Sequence, residues 1–150
     1  MKNIISSLLG FIVFIGSASC YAGPTCANPI GVWKNQLGST LTISTLDAST
    51  GKLSGTYISP SGTAGSSVEL TGWINNFAPI TGNTVTAIAF SVQWGKYGSI
   101  TSWTGTCENN ASSDEKIKIP TIKTIWNLVR SSSQYSWDHI LTNSDVFTPR

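Results

Sequence analysis

Beyond residue 22 no stretch of this chain sustains a helical period. Short runs rich in Thr, Val, Ile and aromatic residues alternate instead with clusters of Gly, Ser, Asn and Pro. We read eight such runs as strands: Gly31–Gln36, Thr40–Thr45, Lys52–Ser59, Val68–Asn75, Thr84–Trp94, Ser99–Thr106, Thr121–Val129 and Trp137–Phe147. The fifth is the clearest. Ile88, Phe90, Val92 and Trp94 fall on one face, and Ala87, Ala89, Ser91 and Gln93 on the other, which describes a sheet with two different environments. Asp47–Gly51 and Asn75–Gly82 carry the Gly, Asn and Asp that tight hairpins need. Pro120 has no N–H for a ladder and is expected to open the seventh strand. Sequential antiparallel strands on short connections predict an all-β, eight-stranded up-and-down barrel, which also removes exposed sheet edges. A two-sheet sandwich fits less well, because its crossings need longer connections. There are no internal repeats. The polar stretch Glu108–Glu115 is expected to be a solvated loop, with Asn110-Ala111-Ser112 as a glycosylation sequon wherever the host glycosylates exported proteins.

The N-terminus has a different composition. Lys2 precedes a mostly apolar stretch from Ile4 to Ile15, and small residues lead to Cys20-Tyr21-Ala22. The apolar stretch is too short to cross a bilayer unaided, so residues 1–22 read as a secretory signal peptide cleaved after Ala22, with Ala18 as the alternative position. The expected mature unit, residues 23–150, is one domain. It keeps eight basic against seven acidic side chains, a net charge of +1, which suggests neither a nucleic-acid nor a membrane partner. Cys20 leaves with the leader, and Cys26 and Cys107 remain as an even pair in an oxidising, extracellular or periplasmic compartment. A disulfide between them would tie the new N-terminus to the middle of the chain; two buried free thiols are the alternative.

Six Trp in the chain is a rich complement, and their neighbours are small polar residues. Trp33, Asn35, Leu37 and Ser39 fall at every second position and share a face if the chain stays extended there. Tyr57 with Ser59, Thr101 with Trp103, and Trp126 with Leu128 repeat the pattern, as do Trp137, His139, Leu141, Asn143 and Asp145. With those faces inward, the interior is lined by indoles and hydrogen-bonding groups. An eight-stranded barrel is just wide enough for one small ligand. Trp33 reads as plain core, and Trp73 has no assigned role. His139 is the only His, no Gly-x-Ser-x-Gly elbow exists, and we read it as structural or as an interface residue. One His and two paired Cys leave no metal site.

Several blocks resemble the avidin/streptavidin family, in order and with closely similar spacing from Gly31 to Thr148. They are Gly31-Val32-Trp33-Lys34-Asn35-Gln36-Leu37-Gly38-Ser39-Thr40, Leu53-Ser54-Gly55-Thr56-Tyr57 with Ser59, Leu70-Thr71-Gly72 and Phe90-Ser91-Val92-Gln93-Trp94. Trp103-Thr104-Gly105, Thr124-Ile125-Trp126-Asn127-Leu128 and Asp145-Val146-Phe147-Thr148 complete the set. The resemblance implies a non-enzymatic protein that binds biotin as a ligand and uses no cofactor. By position, Asn35, Ser39 and Tyr57 match donors to the ureido oxygen. Asp145, Thr101 and Ser59 match acceptors for the ureido N–H groups. Trp94, Trp103 and Trp126 match the indoles that wall the bicyclic ring, with Leu37 and Leu128 adding apolar contact. Ser99 matches a donor to the valerate carboxylate, and Thr63 is implied as another. Trp137 resembles the lid that one subunit lends to a neighbour, which implies a homotetramer. Cys26 and Cys107 match the disulfide pattern of avidin, which streptavidin lacks.

Some features depart from the family pattern or point elsewhere. The loop Pro60–Ser66 has its own sequence, and the turn Gly95-Lys96-Tyr97-Gly98 is short, so contacts at the valerate end are open. Gly31-Val32-Trp33 also satisfies the Gly-x-Trp start of a lipocalin-like carrier of apolar ligands. Lipocalins, however, are usually longer and end in a helix packed on the barrel. A secreted hydrolase built on His139, Asp145 and a Ser is the remaining rival, and an indole-filled interior suits binding better than water activation.

Overall fold

The computed structural model describes residues 23–61, 65–75, 85–111 and 118–150, with the side chains of 110 and 111 excepted. The leader expected over residues 1–22 and Thr63 lie outside the described residues, as does most of the Asn75–Gly82 turn. Eight strands follow one another: β1 Gly31–Asn35, β2 Thr40–Leu46, β3 Lys52–Ile58, β4 Ser67–Asn75, β5 Thr86–Gln93, β6 Ser99–Ala111, β7 Lys118–Arg130 and β8 Ile140–Pro149. Each pairs antiparallel with the next, and β8 returns to β1 through Trp33↔Pro149, Lys34↔Thr148 and Asn35↔Phe147, closing the barrel in sequence order. The up-and-down barrel expected from the alternation is therefore present, with one register shift in β2 between Ile43 and Thr45.

Alternation decides which side chains fill the interior. In β5, Ile88, Phe90 and Val92 are buried while Ala87, Ser91 and Gln93 are exposed. Trp33, Leu41, Ile43, Leu53, Ile122 and Phe147 join them in the core. Phe90 stacks on Trp103 with ring centroids 5.0 Å apart, and Phe147 meets Phe90 edge-on at 6.1 Å. Trp33 is fully buried and donates its Nε1–H to the Pro29 carbonyl at 2.9 Å, the core role expected for it. Cys26 and Cys107 form a disulfide with Cα atoms 5.3 Å apart, which fastens the segment before β1 to β6 across 81 residues of sequence.

Three expectations need correction. The stretch from Glu108 does not begin as a loop. β6 runs on to Ala111 and pairs with Lys118–Thr121, and Glu108 is held on the surface by Lys123 at 3.1 Å and the Thr106 hydroxyl at 2.8 Å. Pro120 accordingly sits inside β7, opposite Asn109, and does not open the strand. The ladder between β7 and β8 begins only at Ile122, so Pro120 lies where β7 has lost that neighbour and a missing N–H costs little. Trp137 precedes β8, because residues 131–139 form the β7–β8 connection. There Tyr135 and Trp137 stack with ring centroids 4.7 Å apart, and Trp137 is 77% exposed.

Candidate functional site

The connections after β1, β3, β5 and β7 gather at one end of the barrel, and the interior at that end is not filled. A cavity of about 440 Å³ opens there. Its walls bring together Asn35, Leu37, Ser39, Tyr57, Ser59, Trp94, Ser99, Thr101, Trp103, Trp126, Leu128 and Asp145. These are all of the ligand-facing residues expected from the sequence except Thr63. Trp137 is not among the lining residues of its own chain. Trp73 stands apart, half-exposed beside a second cavity of about 430 Å³ bordered by Ala27, Leu46 and Ile74.

The deep end is organised around Asp145. Its carboxylate is almost fully buried and accepts three neutral donors: Asn35 Nδ2 at 3.0 Å and Gln36 Nε2 at 3.3 Å on Oδ1, and Trp103 Nε1 at 2.9 Å on Oδ2. Donors of this kind hold a buried carboxylate without cancelling its charge, so its remaining lone pairs stay attractive to an N–H group. Gln36 is braced in turn, donating to the Ser144 carbonyl at 3.1 Å and accepting the Val146 N–H at 2.9 Å.

Asn35 is fixed by the turn that follows β1. Its Oδ1 accepts the backbone N–H groups of Leu37 at 3.1 Å and Ser39 at 2.8 Å. That leaves Nδ2 as the end facing the cavity, with one hydrogen for Asp145 and one for a ligand. The turn needs Gly38, whose φ is 83°, and its backbone closes through Gly38 N to Asn35 O at 3.1 Å and Asn35 N to Ser39 O at 3.1 Å. The chain therefore does not stay extended past Asn35. Leu37 ends 67% exposed at the mouth of the cavity, whereas Asn35 and Ser39 are buried within it.

The aromatic walls interlock. Tyr57 lies 4.8 Å from Trp103 in a tilted pair and 5.9 Å from Trp94 edge-on. Burial pushes the Tyr57 phenol up to about 12; the Ser39 hydroxyl pulls it down and the Asp145 charge pushes it further up. At neutral pH the phenol therefore keeps its proton and can donate it. Trp94 donates Nε1–H to Thr101 Oγ1 at 2.8 Å, which fixes the indole and leaves the hydroxyl a hydrogen and a lone pair for a ligand.

Four residues of the site were not singled out from the sequence. Ser61 and Tyr97 line the mouth from the β3–β4 and β5–β6 connections. Arg130 lines it from the end of β7, and Gln36 stands behind Asp145. Arg130 was reachable by alternation: Ile122, Thr124, Trp126, Leu128 and Arg130 fall at every second position of one strand. Ser61, Tyr97 and Gln36 carry no such signal, because turns and loops do not keep the period of two. His139 is outside the lining, its Nδ1 2.8 Å from the Arg130 carbonyl oxygen. Among the described residues no group of three His, Cys, Asp or Glu side chains comes together as a metal set.

Comparison with known proteins agrees with this geometry. The sequence model of the avidin family matches residues 23–150. Core-bradavidin is 34% identical, covering 79% of this chain and 97% of its own, with a TM-score of 0.61. Xenavidin is 30% identical over 79% of this chain and 94% of its own, with a TM-score of 0.62. A shwanavidin variant solved in complex with biotin is 33% identical over 81% of this chain and 95% of its own, with a TM-score of 0.60. A lipocalin-like carrier is thereby disfavoured. With the family model matched across residues 23–150 and the barrel shared with these structures, the chain belongs to the avidin family.

Proposed function

We propose that the cavity binds biotin non-covalently and with high affinity, one molecule per chain. A urea presents one strong acceptor and two donors in a plane, so its complement is a set of donors facing a set of acceptors. Asn35, Ser39 and Tyr57 are the donors to the ureido oxygen. Asp145, Thr101 and Ser59 accept from the ureido N–H groups. Trp94, Trp103 and Trp126 wall the bicyclic ring with Leu37 and Leu128, and Ser99 and Thr63 serve the carboxylate tail. The observation that carries this reading is the buried Asp145 carboxylate, held by the Asn35 amide and two other neutral donors at the base of an indole-walled cavity.

Each ligand hydrogen bond contributes about 0.5–1.5 kcal/mol net, and roughly double where Asp145 takes part. The sum becomes large because the side chains are already ordered by one another, so little ordering cost remains on binding. No catalysis and no cofactor are involved in this reading, and the protein acts outside the cell or in the periplasm after loss of residues 1–22.

The assembly is a homotetramer in which Trp137 closes a neighbour's cavity. An exposed indole stacked on Tyr135 beside the mouth supports that role. So does an apolar row across the outer barrel surface, where Ile100, Val129 and Ile140 are register partners on β6, β7 and β8 and all are exposed. Displacement of an azobenzene carboxylate dye from the oxidised protein by biotin tests the ligand. Stoichiometric displacement is expected, and a dye signal indifferent to biotin would refute the reading.

A further inference from the structure

The cavity has a formal charge at each end and none between. Asp145 lies at the base, Arg130 lies at the mouth, and the other lining residues are neutral. Arg130 ends β7 and is the cross-strand partner of Ser99. Its backbone is locked to the β7–β8 connection, donating N–H to the His139 carbonyl at 2.8 Å while its own carbonyl meets His139 Nδ1 at 2.8 Å. The guanidinium is gripped from one side only. Nε and Nη2 both donate to the Asp138 carbonyl, and Nη2 also meets Asp138 Oδ2 at 3.1 Å. Among the described residues Nη1 donates to none, so its two N–H groups are available to an anionic group of a ligand.

The spacing suits a ligand with a donor-bearing head and an anionic tail. Thr124 pairs with Asp145 across β7 and β8, and Arg130 lies six residues further along β7. At about 3.3 Å per residue and a strand tilt near 40°, that is roughly 15 Å along the barrel axis. A two-ring head, a five-carbon tail and the reach of one Arg side chain fill this span. We infer that Arg130 receives the carboxylate of the bound ligand and makes the site prefer a free acid over its neutral ester. The inference rests on the biotin reading and adds a specificity-determining residue to it. The hydroxyls of Ser59 and Ser99 serve an acid and an ester alike, whereas a cation separates them. Asp138 tempers the attraction while holding the guanidinium in place, and both side chains are about one-third exposed. A discrimination of about tenfold is therefore expected, not a larger one.

Competition titrations of the oxidised full assembly with biotin and with biotin methyl ester, at low and at high salt, test this. The wild type should bind the acid about tenfold more tightly than the ester at low salt, and high salt should narrow the gap. Arg130→Gln should bring the two within about twofold, Arg130→Lys should restore part of the preference, and Asp138→Asn should widen it. A wild-type ratio within twofold, or an Arg130→Gln protein that keeps the wild-type ratio, would overturn the inference and leave the biotin reading standing. Failure of both ligands to bind the wild type would instead remove the biotin reading, and this one with it.

Discussion

At the scale of single residues the site is a set of polar groups that orient one another before a ligand arrives. Asn35 is aimed by two backbone N–H groups, Asp145 by Asn35, Gln36 and Trp103, and Thr101 by Trp94. Removing a member therefore costs more than its own ligand contact. Asp145→Ala should weaken biotin by about 2–5 kcal/mol, because a ureido N–H is left unpaired in a dry site; an unchanged affinity and enthalpy would show that Asp145 does not meet the ligand. Tyr57 makes a second prediction. Its phenol is raised from 10.0 to about 12 by burial, so between those values an unfolded chain gives up the proton while the folded one keeps it. Stability is fully present below pH 10 and falls as pH rises toward 12, by about 2–3 kcal/mol in all from this group. Urea unfolding from pH 9 to 11.5 should show a steeper decline for the wild type than for Tyr57→Phe, and parallel curves would contradict the account. Asn35, Tyr57 and Asp145 were legible because they lie in or beside strands and within blocks resembling a known family. Gln36 was not, since its role depends on β1 lying beside β8, a contact between residues about 110 positions apart.

At the scale of elements, pairing and close approach matter more than composition. All eight strands begin within three residues of where alternation places them, but β6 runs on past its expected end to Ala111 and β7 starts early at Lys118, because the two stabilise each other. A polar sequence such as Glu108–Ala111 reads as loop when taken alone, and its strand conformation comes from Lys118–Thr121 opposite. Close approach has a sharper signature at Gly105. A Cβ there would lie 1.9 Å from the Lys123 carbonyl oxygen and 2.7 Å from Thr124 Cα, both backbone atoms that cannot move without disturbing the β6–β7 ladder. Gly105→Ala should therefore lower the unfolding free energy by about 1–3 kcal/mol, read from the urea midpoint. A midpoint unchanged from the wild type would mean that the strands can part there at no cost. Trp137 failed as a strand position for a physical reason: Arg130 and Asp138 pin the connection into a bend before β8 can start.

At the scale of the whole molecule, closure of the barrel and the disulfide at its far end leave one end free to be hollow. The cavity is thus a consequence of the fold, and Trp137 and the apolar row Ile100–Val129–Ile140 are the exposed surfaces on which the proposed tetramer rests. Trp137→Ala should raise the dissociation rate of biotin more than it lowers the association rate, and should loosen the assembly. Light scattering that finds a dimer with tight biotin binding would remove the tetramer and the lid with it. Calorimetric titration of the oxidised protein with biotin tests whether this cavity is a biotin site. Saturation at one biotin per chain is expected, with a large favourable enthalpy from the ureido hydrogen bonds. Absence of saturable heat from a folded, disulfide-intact protein would contradict it.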